Sequence, residues 1–162
     1  MRWTVVDSPI GDLSVGVDDV GVCGVHFGAV DAAVDAADVV DDPRLVAVLA
    51  ELRAYFAGEL TDFTVPLSVR RGSDFERAVW RQMTLIPYGE TRTYGDVAKA
   101  VGDPGAARAV GVACNRNPIP VIVPCHRIVG AGGKLVGFGG GLPRKVQLLE
   151  LEARVALQRA WS

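Results

Sequence analysis

The stretch TYGDVAKAVGDPGAARAVGVAC, residues 93–114, predicts two short helices joined by a tight turn. Thr93 is a favoured N-cap residue, so we expect the first helix to begin just after it. Asp103 and Pro104 are expected to cap the second helix, which then runs to about Cys114. Two short helices with a glycine in the turn between them are typical of a helix-turn-helix motif. The stretch therefore predicts that the second half of the chain is a helix-turn-helix domain.

The residues on both sides of this motif predict further helices and a glycine-rich loop. Ser73 and Glu76 have the spacing of a capping box, which would open a helix. Residues 130–141 hold seven glycines and are expected to form a loop or wing, and Pro143 starts a final helix. We therefore predict a mostly helical, winged helix-turn-helix-like domain over residues 73–162.

The first part of the chain predicts a small α+β unit over residues 1–68. Three short runs of alternating apolar and polar residues are separated by turn residues, as in an antiparallel meander: 2–7, 12–17 and 22–27. Asp42 and Pro43 have the pattern of an N-cap and a first helical residue, and apolar residues then repeat at helical spacing until Gly58. The expected fold class is α+β: a small N-terminal antiparallel sheet with a helix, followed by the helical domain that carries Cys125. The remaining stretches are expected to be a loop and a linker, 29–41 and 60–72.

Charge is distributed unevenly between the two parts. Residues 1–69 carry twelve acidic and three basic side chains, whereas residues 70–162 carry seven acidic and fourteen basic ones. A basic half beside an acidic half indicates a polyanionic partner for the second half alone. The competing interpretation is that these charged residues only form solvated surfaces and bind no partner.

Membrane, disulfide and metal-binding classes find little support in the sequence. No apolar run reaches membrane-spanning length and no signal-peptide pattern opens the chain, so we expect a cytoplasmic protein with no membrane partner. The cysteines at 23, 114 and 125 have no paired spacing, which argues against a disulfide framework or a four-ligand zinc site. We therefore predict neither a metal nor a cofactor.

Cys125, His126 and Glu152 are the candidate catalytic residues. A thiol becomes a strong nucleophile only when a neighbour takes its proton or stabilises the thiolate, and the tetrapeptide PCHR, residues 124–127, supplies a base and a fixed cation beside the thiol. Cys125 and His126 can cooperate only if Pro124 imposes a turn, because adjacent residues of a strand point to opposite faces. A buried thiol beside an unrelated histidine is the competing interpretation. Glu152 lies on the apolar stripe of the final helix and needs a buried partner, for which His126 and a nearby arginine are both open candidates.

Four blocks of the second half resemble the O6-alkylguanine-DNA alkyltransferases, also called methylated-DNA–protein-cysteine methyltransferases. They are IPYGETRTY at 86–94, AARAVG at 106–111, NPIPVIVPCHRI at 117–128 and GFGGG at 137–141. The resemblance covers about residues 73–155, and the first unit resembles the variable N-terminal part of the family only loosely. It implies DNA repair by direct damage reversal: irreversible transfer of a methyl or other alkyl group from O6-alkylguanine in double-stranded DNA to a cysteine of the protein itself, once per molecule. O4-alkylthymine is an open alternative substrate.

The resemblance also implies roles for the residues around the thiol. Cys125 corresponds to the alkyl acceptor, His126 to a base that acts through a water, and Glu152 to the acid that orients this base. Asn117 corresponds to the residue that braces the active-site turn by hydrogen bonding.

Further roles concern the DNA. Tyr94 corresponds to a tyrosine that acts near the target phosphate and guanine N3, and Arg108 to the arginine that fills the gap left by the flipped base. The small side chains before Arg108 suit close approach to a shallow groove. The remaining expected DNA contacts are Thr93, Ala106 and Ala107.

The substrate pocket is expected to be lined by four residues: Pro120, Ile128, Phe138 and Gly139. Phe138 stands where tyrosine is frequent in the family, so it keeps an aromatic wall without a hydroxyl group. Gly139 is small where some relatives carry serine, which predicts room for bulkier alkyl groups.

Two other functions are carried as alternatives. A cysteine hydrolase would use Cys125, His126 and Glu152 on acyl substrates, and it would leave the basic helix-turn-helix unexplained. A lesion-binding protein without catalysis would grip DNA only, and relatives of that kind lack the acceptor cysteine that is present here. We expect a monomer, with cooperative binding along DNA left open.

Overall fold

The computed structural model describes residues 1–29, 42–138 and 140–161. These residues form two compact units, Met1–Arg70 and Arg71–Ser162. The loop expected over 29–41 lies outside the described residues from residue 30 onward.

The first unit is a three-stranded antiparallel sheet with one helix. Strands β1 (Arg2–Val6), β2 (Leu13–Val17) and β3 (Val22–Phe27) pair in the order β1-β2-β3, with β2 buried along its whole length. Helix α1 (Pro43–Phe56) begins with the Asp42 carboxylate accepting the backbone N–H of Arg44. Its buried residues lie at helical spacing: Leu45, Val48, Leu49, Leu52 and Tyr55. The meander and the cap predicted from the sequence are confirmed.

The second unit contains four helices and a short parallel strand pair among its described residues. Helices α2 (Asp74–Thr84), α3 (Tyr94–Ala100) and α4 (Ala107–Asn115) pack against one another, and α5 (Leu142–Ala160) closes the chain. Strand β4 (Arg92–Thr93) pairs in parallel with β5 (Ile128–Val129). Together with the first unit, this arrangement confirms the predicted α+β fold class.

The helix N-termini follow the sequence signals at all but one of the predicted places. Ser73 and Glu76 form the predicted capping box at α2, and Thr93 forms a second box with Asp96 at α3. The prediction that Asp103 and Pro104 cap the next helix is wrong. The backbone N–H of Ala106 binds the carbonyl oxygen of Asp103 at 3.0 Å, so residues 103–106 close a turn and α4 begins only after it.

The apolar run at residues 119–123 folds as a series of turns. The backbone N–H of Val123 binds the carbonyl oxygen of Ile119 at 2.8 Å, and Val121 has a φ of 74°. A β-branched residue is strained in that region, so the surrounding contacts must hold it there. The run therefore folds back on itself before it reaches Cys125.

None of the helices formed by the described residues is both long and apolar enough to cross a membrane.

Candidate functional site

Cys125 lies in a tight turn that Pro124 imposes. The backbone N–H of Cys125 binds the carbonyl oxygen of Val123 at 2.8 Å, and Pro124 has φ −82° and ψ 69°, as in an inverse γ-turn. Cys125–Arg127 then forms a single 3₁₀ turn that leads into β5. The condition for cooperation between Cys125 and His126, a turn at Pro124, is met.

Asn117 braces the loop that leads into this turn. Its side-chain amide donates to the carbonyl oxygen of Val123 at 2.8 Å, and its Oδ1 accepts the backbone N–H of Ile119 at 3.0 Å. Both bonds are local and tie the two ends of the loop together. An Asn117 hydrogen bond also reaches the Cys125 thiol and favours its ionised form.

The Cys125 thiol is buried and protonated at rest. Burial raises its pKa to about 11, and this effect outweighs the Asn117 hydrogen bond and the positive charge of Lys145, which lower it. A thiol in that state is a weak nucleophile, so reaction requires that a base remove its proton.

Lys145 is a buried cation that the sequence analysis missed. Its side chain is 1% exposed, and Nζ donates to the carbonyl oxygen of Ile128 at 2.6 Å and to those of Val136 and Gly137 at 3.4 Å. It therefore joins β5 to the glycine-rich loop. Lys145 precedes Glu152 by two helical turns on the same buried stripe, and this spacing could have identified it.

His126, Arg127 and Glu152 form a fully buried network. Nε2 of His126 donates to Oε2 of Glu152 at 2.7 Å. The Arg127 guanidinium binds the same carboxylate twice, from Nε to Oε1 at 2.8 Å and from Nη2 to Oε2 at 3.0 Å. Both partners that the sequence left open for Glu152 are thus present.

Arg127 does not act as the cation beside the thiol that the PCHR tetrapeptide suggested. Besides Glu152, its guanidinium donates to the carbonyl oxygen of Ile86 at 2.8 Å and lies over the Tyr88 ring, 5.5 Å from the centroid. The thiol instead lies in the field of Lys145. Sequence adjacency misled here because the guanidinium of Arg127, two residues after the thiol, is bound by Glu152 and by the Ile86 carbonyl oxygen.

The network fixes the protonation state of His126. Burial raises the pKa of Glu152, but hydrogen bonds from His126 and Arg127 oppose it and hold the value at about 2. Glu152 is therefore an anion and accepts the Nε2 proton of His126. Burial lowers the pKa of His126, and its buried Nδ1 has no hydrogen-bond partner among the described residues. The imidazole thus presents an unprotonated nitrogen that can accept a proton.

The predicted DNA-contacting residues lie around the helix-turn-helix. The Thr93 hydroxyl oxygen accepts the backbone N–H of Asp96, and the Tyr94 hydroxyl donates to the carbonyl oxygen of Val136 at 3.1 Å. Arg108 is exposed in the first turn of α4. The alanines before it are half-buried: Ala106 and Ala107.

The predicted pocket residues differ in how deeply they are buried. Ile128 is fully buried in β5, Pro120 is buried in the loop before Cys125, and Phe138 is half-buried. Gly139 lies outside the described residues. The backbone at Gly137, with a φ of 54°, passes the Tyr94 hydroxyl, since a Cβ built there would lie 3.9 Å from that oxygen.

Within residues 1–29, 42–138 and 140–161, no group of three or more histidine, cysteine or acidic side chains is arranged to hold a metal ion.

Comparison with known proteins gives consistent matches over almost the whole chain. Residues 74–154 match the family described as the DNA binding domain of 6-O-methylguanine DNA methyltransferase, and residues 1–69 match the ribonuclease-like domain of the same family. A methylated-DNA–protein-cysteine methyltransferase of Mycolicibacterium paratuberculosis is 49% identical over 157 residues, which cover 95% of this chain and 93% of the relative. One of the same name from Methanosarcina acetivorans is 46% identical over 154 residues, covering 94% and 98%. The crystal structure of Mycobacterium tuberculosis OGT in complex with DNA superposes with a TM-score of 0.85 at 44% identity, covering 96% of this chain and 94% of that one.

Proposed function

The chain belongs to the 6-O-methylguanine DNA methyltransferase family, and from that premise we propose that it repairs O6-alkylguanine in double-stranded DNA by moving the alkyl group onto Cys125. The observation that carries the choice of residue is the setting of this thiol. It lies buried in a tight turn, in the field of Lys145, and the next residue is a histidine oriented by a buried carboxylate.

The chemistry is a single displacement at the alkyl carbon. The sulfur of Cys125 donates an electron pair to that carbon and forms a C–S bond, while the bond from carbon to guanine O6 breaks and leaves its electron pair on the guanine. The proton lost by the thiol ends on the guanine, so the products are a thioether and an unmodified base. Thiol exchange does not cleave a thioether, so each molecule reacts once.

His126 is the base that makes the thiol reactive. The resting thiol is protonated, since its pKa is about 11, and the Nδ1 nitrogen of a neutral His126 can take its proton. As the family resemblance implies, this transfer runs through a water. Glu152 holds the Nε2 proton and so selects the tautomer whose Nδ1 is free to accept.

On the DNA side, Arg108 fills the gap left when the damaged nucleotide rotates out of the helix. Rotation is needed because the buried Cys125 thiol cannot reach the alkyl carbon while the base is stacked in the duplex, and unstacking costs a few kcal/mol that an inserted side chain offsets. Tyr94 assists by a hydrogen bond at guanine N3. Three further residues contact the DNA backbone: Thr93, Ala106 and Ala107. Four residues hold the flipped base: Pro120, Ile128, Phe138 and Gly139.

Intact-protein mass tests the proposal. After incubation with a duplex that contains O6-methylguanine, the protein should gain the mass of one methyl group and no more, with one lesion repaired per molecule. Repair of many lesions per molecule would contradict the proposal. Turnover of acyl esters without any mass gain would favour the hydrolase, and tight DNA binding with no reaction would favour a lesion-binding protein.

Arg108→Ala tests the flipping role. The variant should repair duplex DNA about 10- to 100-fold more slowly than the wild type, because a few kcal/mol of unstacking is no longer offset. Its reaction with free O6-benzylguanine should keep the wild-type rate, since that base needs no rotation. Lys99→Ala, which removes an exposed cation from α3, is the matched control for lost charge. An equal slowing of Arg108→Ala on both substrates would show that Arg108 has another role.

We include the cellular setting in the same proposal: the protein acts as a monomer in the cytoplasm. Sedimentation of the free protein, with and without a short duplex, distinguishes a monomer from a dimer and shows whether several copies assemble on longer DNA.

A further inference from the structure

The carboxylate of Glu152 is shared between a histidine and an arginine. Oε2 accepts both Nε2 of His126, at 2.7 Å, and Nη2 of Arg127, at 3.0 Å, and Oε1 accepts Nε of Arg127 at 2.8 Å. The backbone N–H of Gly89 adds a longer bond to Oε1, at 3.3 Å. His126 is 0% exposed, Glu152 1% and Arg127 7%, so these charges interact with little screening by water.

The charge balance of this network disfavours a proton on Nδ1 of His126. Arg127 and Glu152 form a bidentate pair whose net charge is zero. An imidazolium at His126 would therefore add an uncompensated buried charge, which is costly. Without Arg127, the same imidazolium would form a neutral pair with Glu152, and the proton would be favoured. Arg127 thus reverses the effect that a buried carboxylate ordinarily has on its histidine partner.

We propose that Arg127 is a positioning residue that keeps His126 neutral by neutralising Glu152, and so keeps Nδ1 available as a base. Its importance for repair rests on the proposed function, whereas its effect on His126 does not. Arg127 is well suited to this task because a guanidinium stays charged at every physiological pH and matches a carboxylate in two bonds. The Ile86 carbonyl oxygen and the Tyr88 ring hold the guanidinium in place from the loop after α2.

Three other ionisable groups near His126 also bear on its protonation: one disfavours the imidazolium, and the other two are neutral. Lys145, on α5, also disfavours a second positive charge there. The Cys125 thiol is neutral at rest because its pKa is about 11. The Tyr88 phenol, which faces Arg127 and Glu152, is neutral as well, because burial and the Glu152 charge raise its pKa. Arg127 is thus a cation in direct contact with the carboxylate that binds His126.

The direct test is nuclear magnetic resonance of the histidine side chains, without DNA. The chain has two histidines, His26 and His126, so ¹⁵N-histidine labelling gives two sets of ring signals that one variant of His26 assigns. In the wild type, His126 should be the neutral tautomer with its proton on Nε2 at neutral pH. In Arg127→Met, which replaces the guanidinium by an apolar chain that adapts to the space, the pKa of His126 should rise.

Three further variants separate a charge effect from general damage. Arg127→Lys keeps a cation and should leave the pKa of His126 near the wild-type value. Glu152→Gln added to Arg127→Met removes the anion too and should lower the pKa of His126 again. Arg81→Met removes an exposed arginine from α2 and should leave the His126 titration unchanged.

The rate of alkyl transfer supplies a second readout. Because only the neutral imidazole accepts a proton, a higher pKa moves the rise of the rate to higher pH. Arg127→Met should therefore be slower than the wild type by about tenfold or more near pH 6, and this deficit should shrink above pH 8. A loss of equal size at every pH would indicate a merely structural role.

The outcomes that overturn the proposal are specific. An unchanged His126 titration in folded Arg127→Met contradicts it. If that variant does not fold, an imidazolium at His126 in the wild type near pH 7, or a raised His126 pKa in folded Arg127→Lys, contradicts it instead. If the His126 titrations behave as expected but the wild type transfers no methyl group, the proposed function is refuted. The inference on Arg127 would still stand.

Discussion

Cys125→Ala should leave O6-methylguanine in duplex DNA unrepaired, with the transfer rate lowered by at least about 10⁴-fold. The substitution removes the one sulfur that lies in the tight turn beside the His126–Glu152 network. The imidazole of His126, the other nucleophilic group of that turn, is a weaker nucleophile than a thiolate. The Ala side chain fits a backbone held by the Val123 and Asn117 hydrogen bonds, so the fold and DNA binding should persist.

Cys114→Ala is the matched control for this prediction. Cys114 is the other buried thiol in the second unit, and burial raises its pKa to about 12. It belongs to α4 and has no base in its own turn, so its loss should change the transfer rate less than threefold, a change of about 0.6 kcal/mol in the barrier. Time courses of lesion repair with excess protein measure both variants. Repair by Cys125→Ala at a rate near that of the wild type would mean that another residue accepts the alkyl group.

Glu152→Ala should strongly destabilise the second unit. Removal of the carboxylate leaves the buried guanidinium of Arg127 without its bidentate partner and His126 without its Nε2 acceptor. Breaking a buried ion pair from one side typically costs about 3–5 kcal/mol of the free energy of unfolding. Urea denaturation followed by circular dichroism measures this loss.

Glu150→Ala provides the comparison, because Glu150 is exposed on the same helix. Its substitution should change the free energy of unfolding by less than about 0.5 kcal/mol. A similar small loss for Glu152→Ala would mean that the buried network contributes little to stability.

The stabilisation by Glu152 should also depend on pH. The pKa of its carboxyl falls from the ordinary 4.5 to about 2 in the fold, against the effect of burial, because His126 and Arg127 bind its ionised form. Because the pKa of Glu152 is lower in the folded protein than in the unfolded chain, its stabilisation is fully present at a pH above the unfolded-chain pKa. This stabilisation is lost as the pH falls through about 2. The stability difference between wild type and Glu152→Gln should therefore be constant near pH 6 and should narrow in acid.

Much of the fold follows from local signals that act within a few residues. The capping boxes at Ser73 and Thr93, the N-cap at Asp42 and the strand alternation of the first unit are each readable from neighbouring side chains. The structure confirms all of them. Asp103 and Pro104 misled because the same residue types favour a turn and a helix start, and the turn was formed.

The site was less predictable because it depends on contacts between distant segments. The apolar stripe of α5 indicated that Glu152 needs a buried partner, and the resemblance pointed to His126. That Arg127 binds the same carboxylate depends on the 3₁₀ turn, and no pattern in the tetrapeptide reveals which way each side chain turns. Lys145 was overlooked because a lysine near a helix start is usually solvated, although its place on the buried stripe could have been noticed.

The identity of the alkylated residue tests the central claim most directly. The chain has three cysteines, Cys23, Cys114 and Cys125, and peptide digestion after reaction with isotopically labelled O6-methylguanine DNA assigns the label to one of them. We predict that the methyl group is found on the sulfur of Cys125 alone, at up to one group per molecule. Label on Cys114 or Cys23, or on no residue of a protein that has repaired its DNA, would contradict the account.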